Sequence, residues 1–107
     1  MTDEAIVVLT TAGSEEQAEE IASALVSECL AACVNVVPGI RSVYKWKGKI
    51  EKDREVLVLV KTTAGRFEAV RRRIRELHSY ELPEAIALPV VDADPDVLAW
   101  LLSCVQP

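Results

Sequence analysis

The segment SVYKWKGKIEKDREVLVLVKTT, residues 42–63, predicts a long β-hairpin, and this hairpin decides the fold. Lys47-Gly48-Lys49 is a turn signal between two runs of strand character. Tyr44 and Trp46 stand two positions apart, so they point to the same face of their strand. Both arms exceed the usual strand length of about 5–6 residues. We therefore expect the hairpin to project beyond its own core and to contact a neighbouring subunit.

The chain before the hairpin reads as a strand, a helix and a second strand. Residues 5–11 predict a buried strand, and Ser14 with Gln17 forms an S-x-x-Q capping box that opens a helix. The second strand covers residues 32–46 and is interrupted at Pro38-Gly39. The apolar face of the helix is predicted from residues at 3.6 spacing, Ala18, Ile21, Ala22, Leu25 and Cys29.

The chain after the turn continues in the same way. Residues 50–62 predict the third strand, and Thr63 is a candidate N-cap for a second helix that ends near His78. The apolar positions of that helix are Phe67, Val70, Ile74 and Leu77. Residues 85–91 predict a fourth strand, and Asp94-Pro95 opens a short last helix. That helix carries Leu98, Trp100 and Leu101.

The order βαββαβ, followed by α, predicts an α+β ferredoxin-like sandwich in a single domain over residues 1–107. In this fold two helices cover one face of a four-stranded antiparallel sheet. The segments VLVLV and 85–91 are apolar on both faces, so the second face would expose a large patch in a monomer. Another subunit is expected to cover it.

Composition excludes several classes of protein. The chain is 50% hydrophobic and 27% charged, which excludes a disordered chain, and it has no apolar run long enough for a membrane span. The acidic start without a basic region predicts that there is no signal peptide and that the protein is cytoplasmic. A net charge of -5 disfavours nucleic acid and anionic membranes and favours cations as partners. The 3 cysteines form no CxxC pair, which indicates reduced thiols.

The chain lacks the residues that several functions of this fold require. The third strand EVLVLVKT has no aromatic residue on which an RNA base could stack. The loop TTAGSEE after the first strand lacks the paired cysteines of a copper chaperone. The chain has neither a Gly-rich phosphate loop nor a GxSxG elbow. In RFEAVRRRIRE, Glu68 and Glu76 lie four residues either side of Arg72, which predicts an ion-paired helix surface.

Two blocks, ECLAACVNVVPGIRSVYKWKGKIEKDREVLVLVKTT (28–63) and HSYELPEAIALPV (78–90), closely resemble the CutA family of divalent-cation-tolerance proteins. The resemblance covers nearly the whole chain. It implies a ferredoxin-like subunit in a tight homotrimer, tolerance to divalent metals, copper binding, no organic cofactor and no established enzyme activity. It also implies a cleft between subunits, formed by Cys33, Asn35, Tyr44, Trp46, Glu51, Lys61, Tyr80 and Pro83.

Three positions depart from the family pattern. Ser79 stands where proline is usual, and Thr10 stands where some members have a cysteine proposed as a copper ligand. Leu77 occupies a position where a second histidine would adjoin His78. The resemblance therefore implies an incomplete copper site in this chain.

The segment HSYELPE, residues 78–84, supports two interpretations. His78, Glu81 and Glu84 can hold copper or another divalent cation at a helix C-terminus, where free carbonyls favour positive charge. Alternatively, His78 and Tyr80 form a hydrogen-bonded corner that orders the subunit interface.

Two cysteines offer a further candidate site. Cys29 and Cys33 are spaced i, i+4 and could hold a soft metal if the first helix continued through them. We favour packing roles, with Cys29 ending the apolar face of the helix and Cys33 beginning a strand.

Three functions follow as alternatives. The first is a trimeric protein that binds divalent cations without turnover. The second is a trimer similar to PII signalling proteins, with a small ligand in its intersubunit clefts and partner proteins at its hairpins. The third is an enzyme in which Lys61, Glu51 and Tyr80 act on a small substrate.

Overall fold

The predicted order of strands and helices is present in a computed structural model, which describes residues 4–106. The elements are β1 (Ala5–Ala12), α1 (Glu15–Ser27), β2 (Cys33–Trp46), β3 (Lys49–Thr63), α2 (Phe67–Leu77), β4 (Ile86–Pro89) and α3 (Pro95–Cys104). A 3-10 turn at Ala64–Arg66 precedes α2. The strands form one antiparallel sheet in the order β2-β3-β1-β4.

This topology confirms the α+β class, with a four-stranded antiparallel sheet. The single domain over residues 1–107 and the absence of a signal peptide stay predictions, and both rest partly on residues 1–3, outside the described range. Within residues 4–106, none of the helices combines the length and apolar character needed to cross a bilayer.

The core lies between one face of the sheet and the helices α1 and α2. Its side chains from the sheet and from both helices form one buried cluster, as their apolar spacing predicts. The largest fully buried members are Ile21, Leu25, Ile74, Val8, Val58, Val60 and Val70. Thr10 is also fully buried on this face, and its hydroxyl has no hydrogen-bond partner.

The predicted capping box at α1 is only half correct. The Ser14 hydroxyl accepts a hydrogen bond from the Gln17 backbone N–H at 3.1 Å, as expected. The Gln17 side chain, however, donates to the Leu77 carbonyl at 3.3 Å and accepts from the Ser79 N–H at 2.8 Å. Gln17 therefore ties α1 to the chain that leaves α2.

The expectation that Cys29 ends the apolar face of α1 is wrong. The helix ends at Ser27, and Cys29 is exposed with a φ of 60°. The N–H groups of Leu30 and Ala31 both donate to the Leu25 carbonyl, so the chain turns sharply here. Because α1 does not continue to Cys33, the helical spacing required for a two-cysteine metal site is absent.

Two other predictions also differ from the structure, namely the cap of the second helix and the length of β4. Thr63 precedes the 3-10 turn but makes no capping hydrogen bond through its side chain. β4 pairs only with residues 6–9 of β1, so it spans four residues rather than the predicted seven. Val91 is consequently 97% exposed. Apolar composition alone therefore overestimated the strand.

The last helix begins as predicted. Asp94 Oδ1 accepts from the Asp96 N–H at 2.8 Å, with Pro95 at the first helical position. Leu101 and Val105 pack against Ala5 and Ala32, forming a small second cluster. Trp100 stays 49% exposed.

The hairpin of β2 and β3 projects from the sheet. Lys47 and Gly48 have φ values of 51° and 80°, the left-handed pair of a type I′ turn that matches the twist of the strands. The radius of gyration is 14.2 Å, against about 13 Å for a compact domain of this length. The principal extents of 43 × 26 × 22 Å reflect this elongation.

A β-bulge at Pro38-Gly39 divides β2 into two parts. Val37 pairs with Leu57 and Ile40 with Glu55, so β2 advances three residues where β3 advances two. One extra residue reverses the alternation of side chains along β2.

The sheet face opposite α1 and α2 is called here the open face. Its apolar residues come from all four strands, Val37, Leu57, Leu59, Val7, Leu9, Ile86 and Leu88. In the single chain Ile86 is 51% exposed and Leu88 is 44% exposed. The open face is therefore the apolar surface that the sequence predicted.

Candidate functional site

His78 is a buried corner residue between α2 and the open face. Its Nε2 lies 2.6 Å from the Thr11 carbonyl oxygen. Since a carbonyl can only accept, Nε2 carries the proton, and Nδ1 accepts from the Tyr80 N–H at 3.1 Å. The imidazole is neutral and both nitrogens are engaged. The ring also packs on Tyr80, with 4.4 Å between centroids. This geometry corresponds to the hydrogen-bonded corner.

The three predicted metal ligands are not gathered within one chain. Glu81 and Glu84 are exposed, whereas His78 is 9% exposed. Across residues 4–106, no cluster of three or more His, Cys, Asp or Glu side chains is arranged to hold a metal ion. A metal at His78 would have to break one of the two hydrogen bonds of its ring.

Tyr80 is bonded to a buried carboxylate. Its hydroxyl donates to Glu55 Oε2 at 2.7 Å, and Glu55 is 7% exposed. Burial of the phenol raises the pKa of Tyr80 well above its ordinary value, and the hydrogen bond and charge of Glu55 raise it further. The proton on this hydroxyl therefore stays in place at neutral pH.

A second tyrosine–carboxylate pair lies further out on the hairpin. The Tyr44 hydroxyl donates to Asp53 Oδ2. This hydrogen bond is the main reason that the pKa of Tyr44 is raised to about 12, and the charge of Asp53 adds to it. Unlike the Tyr80–Glu55 pair, this pair is exposed.

The two pairs lie in one cleft between the hairpin and the loop that follows Tyr80. The cleft has a volume of about 880 Å³. Three aromatic side chains, four carboxylates and one lysine contribute to its lining, namely Tyr44, Trp46, Tyr80, Asp53, Glu55, Glu81, Glu84 and Lys45. We call this cavity the acidic cleft. Its surplus of negative charge favours a positively charged occupant.

The predicted cleft residues do not all lie in the acidic cleft. Tyr44, Trp46, Tyr80 and Pro83 line the acidic cleft. Glu51 pairs with Tyr44 across the hairpin. The other three lie at the opposite end of the open face, where the structure pairs Cys33 with Lys61 and Asn35 with Leu59.

Two carboxylates of the acidic cleft, Asp53 and Glu55, were not predicted from the sequence. They stand at alternate positions in the charged run EKDRE and so share one face of β3. Pairing through the Lys47-Gly48 turn places Asp53 opposite Ser42 and Glu55 opposite Ile40. The signal was present in the register of the hairpin.

Comparison with known proteins identifies the family of the chain. Residues 6–104 match the family described as "CutA1 divalent ion tolerance protein". The chain belongs to the CutA1 family. It is 50% identical over 95 residues to the divalent-cation tolerance protein CutA of Thermus thermophilus, covering 89% of this chain and 92% of that protein. A solved CutA1 structure from T. thermophilus superimposes with a TM-score of 0.93 at 47% identity, covering 95% of this chain and 99% of that one.

Some CutA1 relatives are longer than this chain. The chloroplastic CutA protein of Arabidopsis thaliana is 43% identical over 96 residues, which cover 90% of this chain but only 53% of that protein. Because that relative is described as chloroplastic, a cytoplasmic location stays a prediction for this chain.

The CutA1 departure at Thr10 has a structural meaning. Thr10 points into the core between the sheet and the helices, with no exposed surface. Its neighbour Thr11, which accepts the His78 hydrogen bond, lines the acidic cleft instead. A ligand at position 10 would therefore not reach the cleft from the backbone seen here.

Proposed function

We propose that this CutA1 member is a homotrimer that binds divalent cations, copper among them, and supports tolerance to them without catalysing a reaction. The observation that carries the proposal is the acidic cleft, which joins the open face of the sheet. Four carboxylates and two phenols surround this cavity.

The trimer is supported by the exposure of the open face. Ile86 and Leu88 lie on the edge strand β4, and each leaves more than two fifths of its surface exposed. Covering apolar surface stabilises an assembly by about 25 cal/mol per Å². A ring of three copies removes this surface from water and brings a neighbouring chain to the cleft.

The cation is proposed to bind first at Glu81 and Glu84. Both carboxylates are exposed at the rim of the acidic cleft, and carboxylate oxygens accept many divalent ions with little selectivity. His78 would add a nitrogen ligand suited to copper only after releasing the Tyr80 N–H. We therefore expect a modest affinity that decreases as the pH is lowered, because the ligands become protonated.

Calorimetric titration with Cu(II) tests these ligand roles. The double variant Glu81→Gln/Glu84→Gln should lose most of the binding, while its melting temperature stays close to that of the wild type. His78→Ala should lower thermal stability because the Thr11 carbonyl and the Tyr80 N–H lose their partner, a cost of about 1–3 kcal/mol. Unchanged Cu(II) affinity in the double variant would refute the carboxylate site. Unchanged affinity in His78→Ala would remove His78 as a ligand.

Assembly is tested by light scattering at low micromolar concentration. A trimeric mass that persists on dilution is expected. A monodisperse monomer would overturn the trimer and any cleft shared between subunits.

A second candidate is a PII-like signalling or scaffold trimer that takes a small organic ligand. The size of the acidic cleft favours it, since small-molecule sites usually enclose about 300–1,000 Å³. A ligand that binds only the folded state raises the melting temperature. A screen of small organic cations by thermal shift, run beside divalent metals, separates the two functions.

A further inference from the structure

The hairpin has a second side, on the sheet face opposite Tyr44, Glu51 and Asp53. We call it the basic side. It carries four cations and two apolar residues, Arg41, Val43, Lys45, Ile50, Lys52 and Arg54. All six are exposed, and Val43 and Ile50 leave 67% and 70% of their surface in solvent.

The register arranges these side chains in three rows. Arg41 lies opposite Arg54, Val43 opposite Lys52 and Lys45 opposite Ile50. Successive rows on one face of a strand are about 6.5 Å apart, so the rows span about 13 Å. No acidic residue falls within these rows, whereas Glu51, Asp53 and Glu55 all lie on the other side of β3.

The arrangement of the basic side is unfavourable for an isolated chain. Like charges directly opposite in a strand pair, such as Arg41 and Arg54, destabilise the pairing. Within residues 4–106, none of the four cations of this side forms an ion pair. On α2, by contrast, Arg71 and Arg73 are paired with glutamates. An external anion would remove the conflict on the hairpin.

We propose that the basic side docks a short acidic segment of a partner protein, whose carboxylates meet the four cations and whose apolar side chains cover Val43 and Ile50. Charge complementarity selects a negatively charged occupant. The net charge of -5 disfavours extended polyanions, because a nucleic acid or an anionic membrane would also meet the acidic remainder of the chain. A short peptide contacts only the hairpin.

This inference does not depend on the proposed trimer or on cation binding. The basic side lies on the sheet face opposite the open face, so covering the open face leaves it accessible, although two of its residues, Val43 and Lys45, also border the acidic cleft. It is present in the single chain as well.

The test uses the full chain and a synthetic peptide that alternates glutamate and leucine, with a lysine–leucine peptide as the negative control. Amide shifts in nuclear magnetic resonance map the contact, and fluorescence titration gives the affinity. We expect shifts confined to residues 41–45 and 50–54. The affinity should fall as salt rises, because exposed charges are screened.

A matched pair of variants locates the binding. Lys52→Gln/Arg54→Gln removes two charges of the basic side and should lower the affinity for the acidic peptide by about tenfold. Arg72→Gln/Arg75→Gln removes the same charge from exposed positions on α2 and should change little. Neither variant should melt below the wild type, since all four positions are exposed, and Lys52→Gln/Arg54→Gln should melt slightly higher because it removes the repulsion between Arg41 and Arg54.

Three results would overturn the proposal. They are the absence of hairpin shifts with the acidic peptide, an equal loss of affinity in both double variants, and tighter binding of duplex DNA or phosphatidylserine vesicles than of the peptide.

Discussion

The two faces of the sheet are built from the same strands but are held by different means. On the face toward the helices, Val8, Val58 and Val60 have no exposed surface and belong to one buried apolar cluster. On the open face, Leu57 and Leu59 alternate with them along β3, and the face ends in a polar network around Glu55. One face is buried within a single chain, whereas the other leaves apolar side chains such as Ile86 and Leu88 exposed.

With the proposed trimer, this difference means that alternation in one strand encodes folding and assembly separately. Even-numbered residues of β3 stabilise the subunit, while the odd-numbered residues Glu55, Leu57 and Leu59 present a surface. Substitutions at adjacent positions should therefore have different consequences.

The largest effect is expected from introducing a charge on either face. Val60→Asp places an unpaired carboxylate in the core, which costs several kcal/mol, so the chain should not fold. Leu59→Asp, one position away, should leave a folded subunit and reduce its assembly to a monomer. Circular dichroism reports folding and light scattering reports mass. Loss of folding in Leu59→Asp would show that the open face is also needed for the subunit itself.

A smaller effect is expected at the polar end of the open face. Tyr80→Phe removes the hydroxyl that donates to the buried Glu55 and should lower the free energy of unfolding by about 1–3 kcal/mol. Tyr44→Phe removes the equivalent donor from the exposed Asp53 and should have little effect. Urea unfolding of both variants measures the difference. Equal losses would show that burial of the carboxylate does not decide how much the hydrogen bond contributes to the free energy of unfolding.

The helix-facing side contains one polar defect. The Thr10 hydroxyl is fully buried and has no partner, so Thr10→Val should stabilise the protein by about 1–2 kcal/mol. Thr11→Val, on the open face, should not give this gain. Thermal melts of the two variants make the comparison. A less stable Thr10→Val variant would mean that the hydroxyl is bonded in solution.

The smallest expected effect is a change of stability with pH. The folded-state pKa values of Tyr44 and Tyr80 lie above the ordinary value near 10. The stability that they contribute is therefore fully present below pH 10 and is lost as pH rises through the folded values, about 12 for Tyr44. Ultraviolet titration of phenolate absorbance tests this. Asp53→Asn should bring the pKa of Tyr44 back toward 10, and an unshifted titration in that variant would exclude Asp53 as the cause.

Local chemistry allowed much of the fold to be predicted. The type I′ turn, the Asp94 cap and the apolar face of α2 each depend on residues close together in the sequence, and the structure contains all three. The end of α1 depends on a non-glycine residue, Cys29, that adopts a left-handed conformation, and the length of β4 depends on a strand that is distant in sequence. Cys29 leaves the helix because the chain turns back toward Leu25, and β4 stops where β1 no longer pairs with it.

The site was less accessible from the sequence. The sequence allowed His78 and Tyr80 to be proposed as a hydrogen-bonded corner. It did not identify Thr11 as the partner of His78, because the two residues are 67 positions apart. Likewise, the burial of Glu55 depends on Tyr80 across the open face. Sequence patterns identify such side chains only as polar, because their partners are set by tertiary packing.

The bulge at Pro38-Gly39 sets a limit on how this chain can change in length. Surface segments usually tolerate the gain or loss of a residue, and positions 37–39 are exposed. Deleting one residue here would nevertheless invert every position from Ile40 to Trp46, moving Tyr44 and Trp46 to the cationic side and placing Arg41 and Lys45 against the cleft. An exposed stretch is therefore subject to a strict constraint on insertions and deletions, because its residue count determines which side chains of β2 lie on each side of the hairpin.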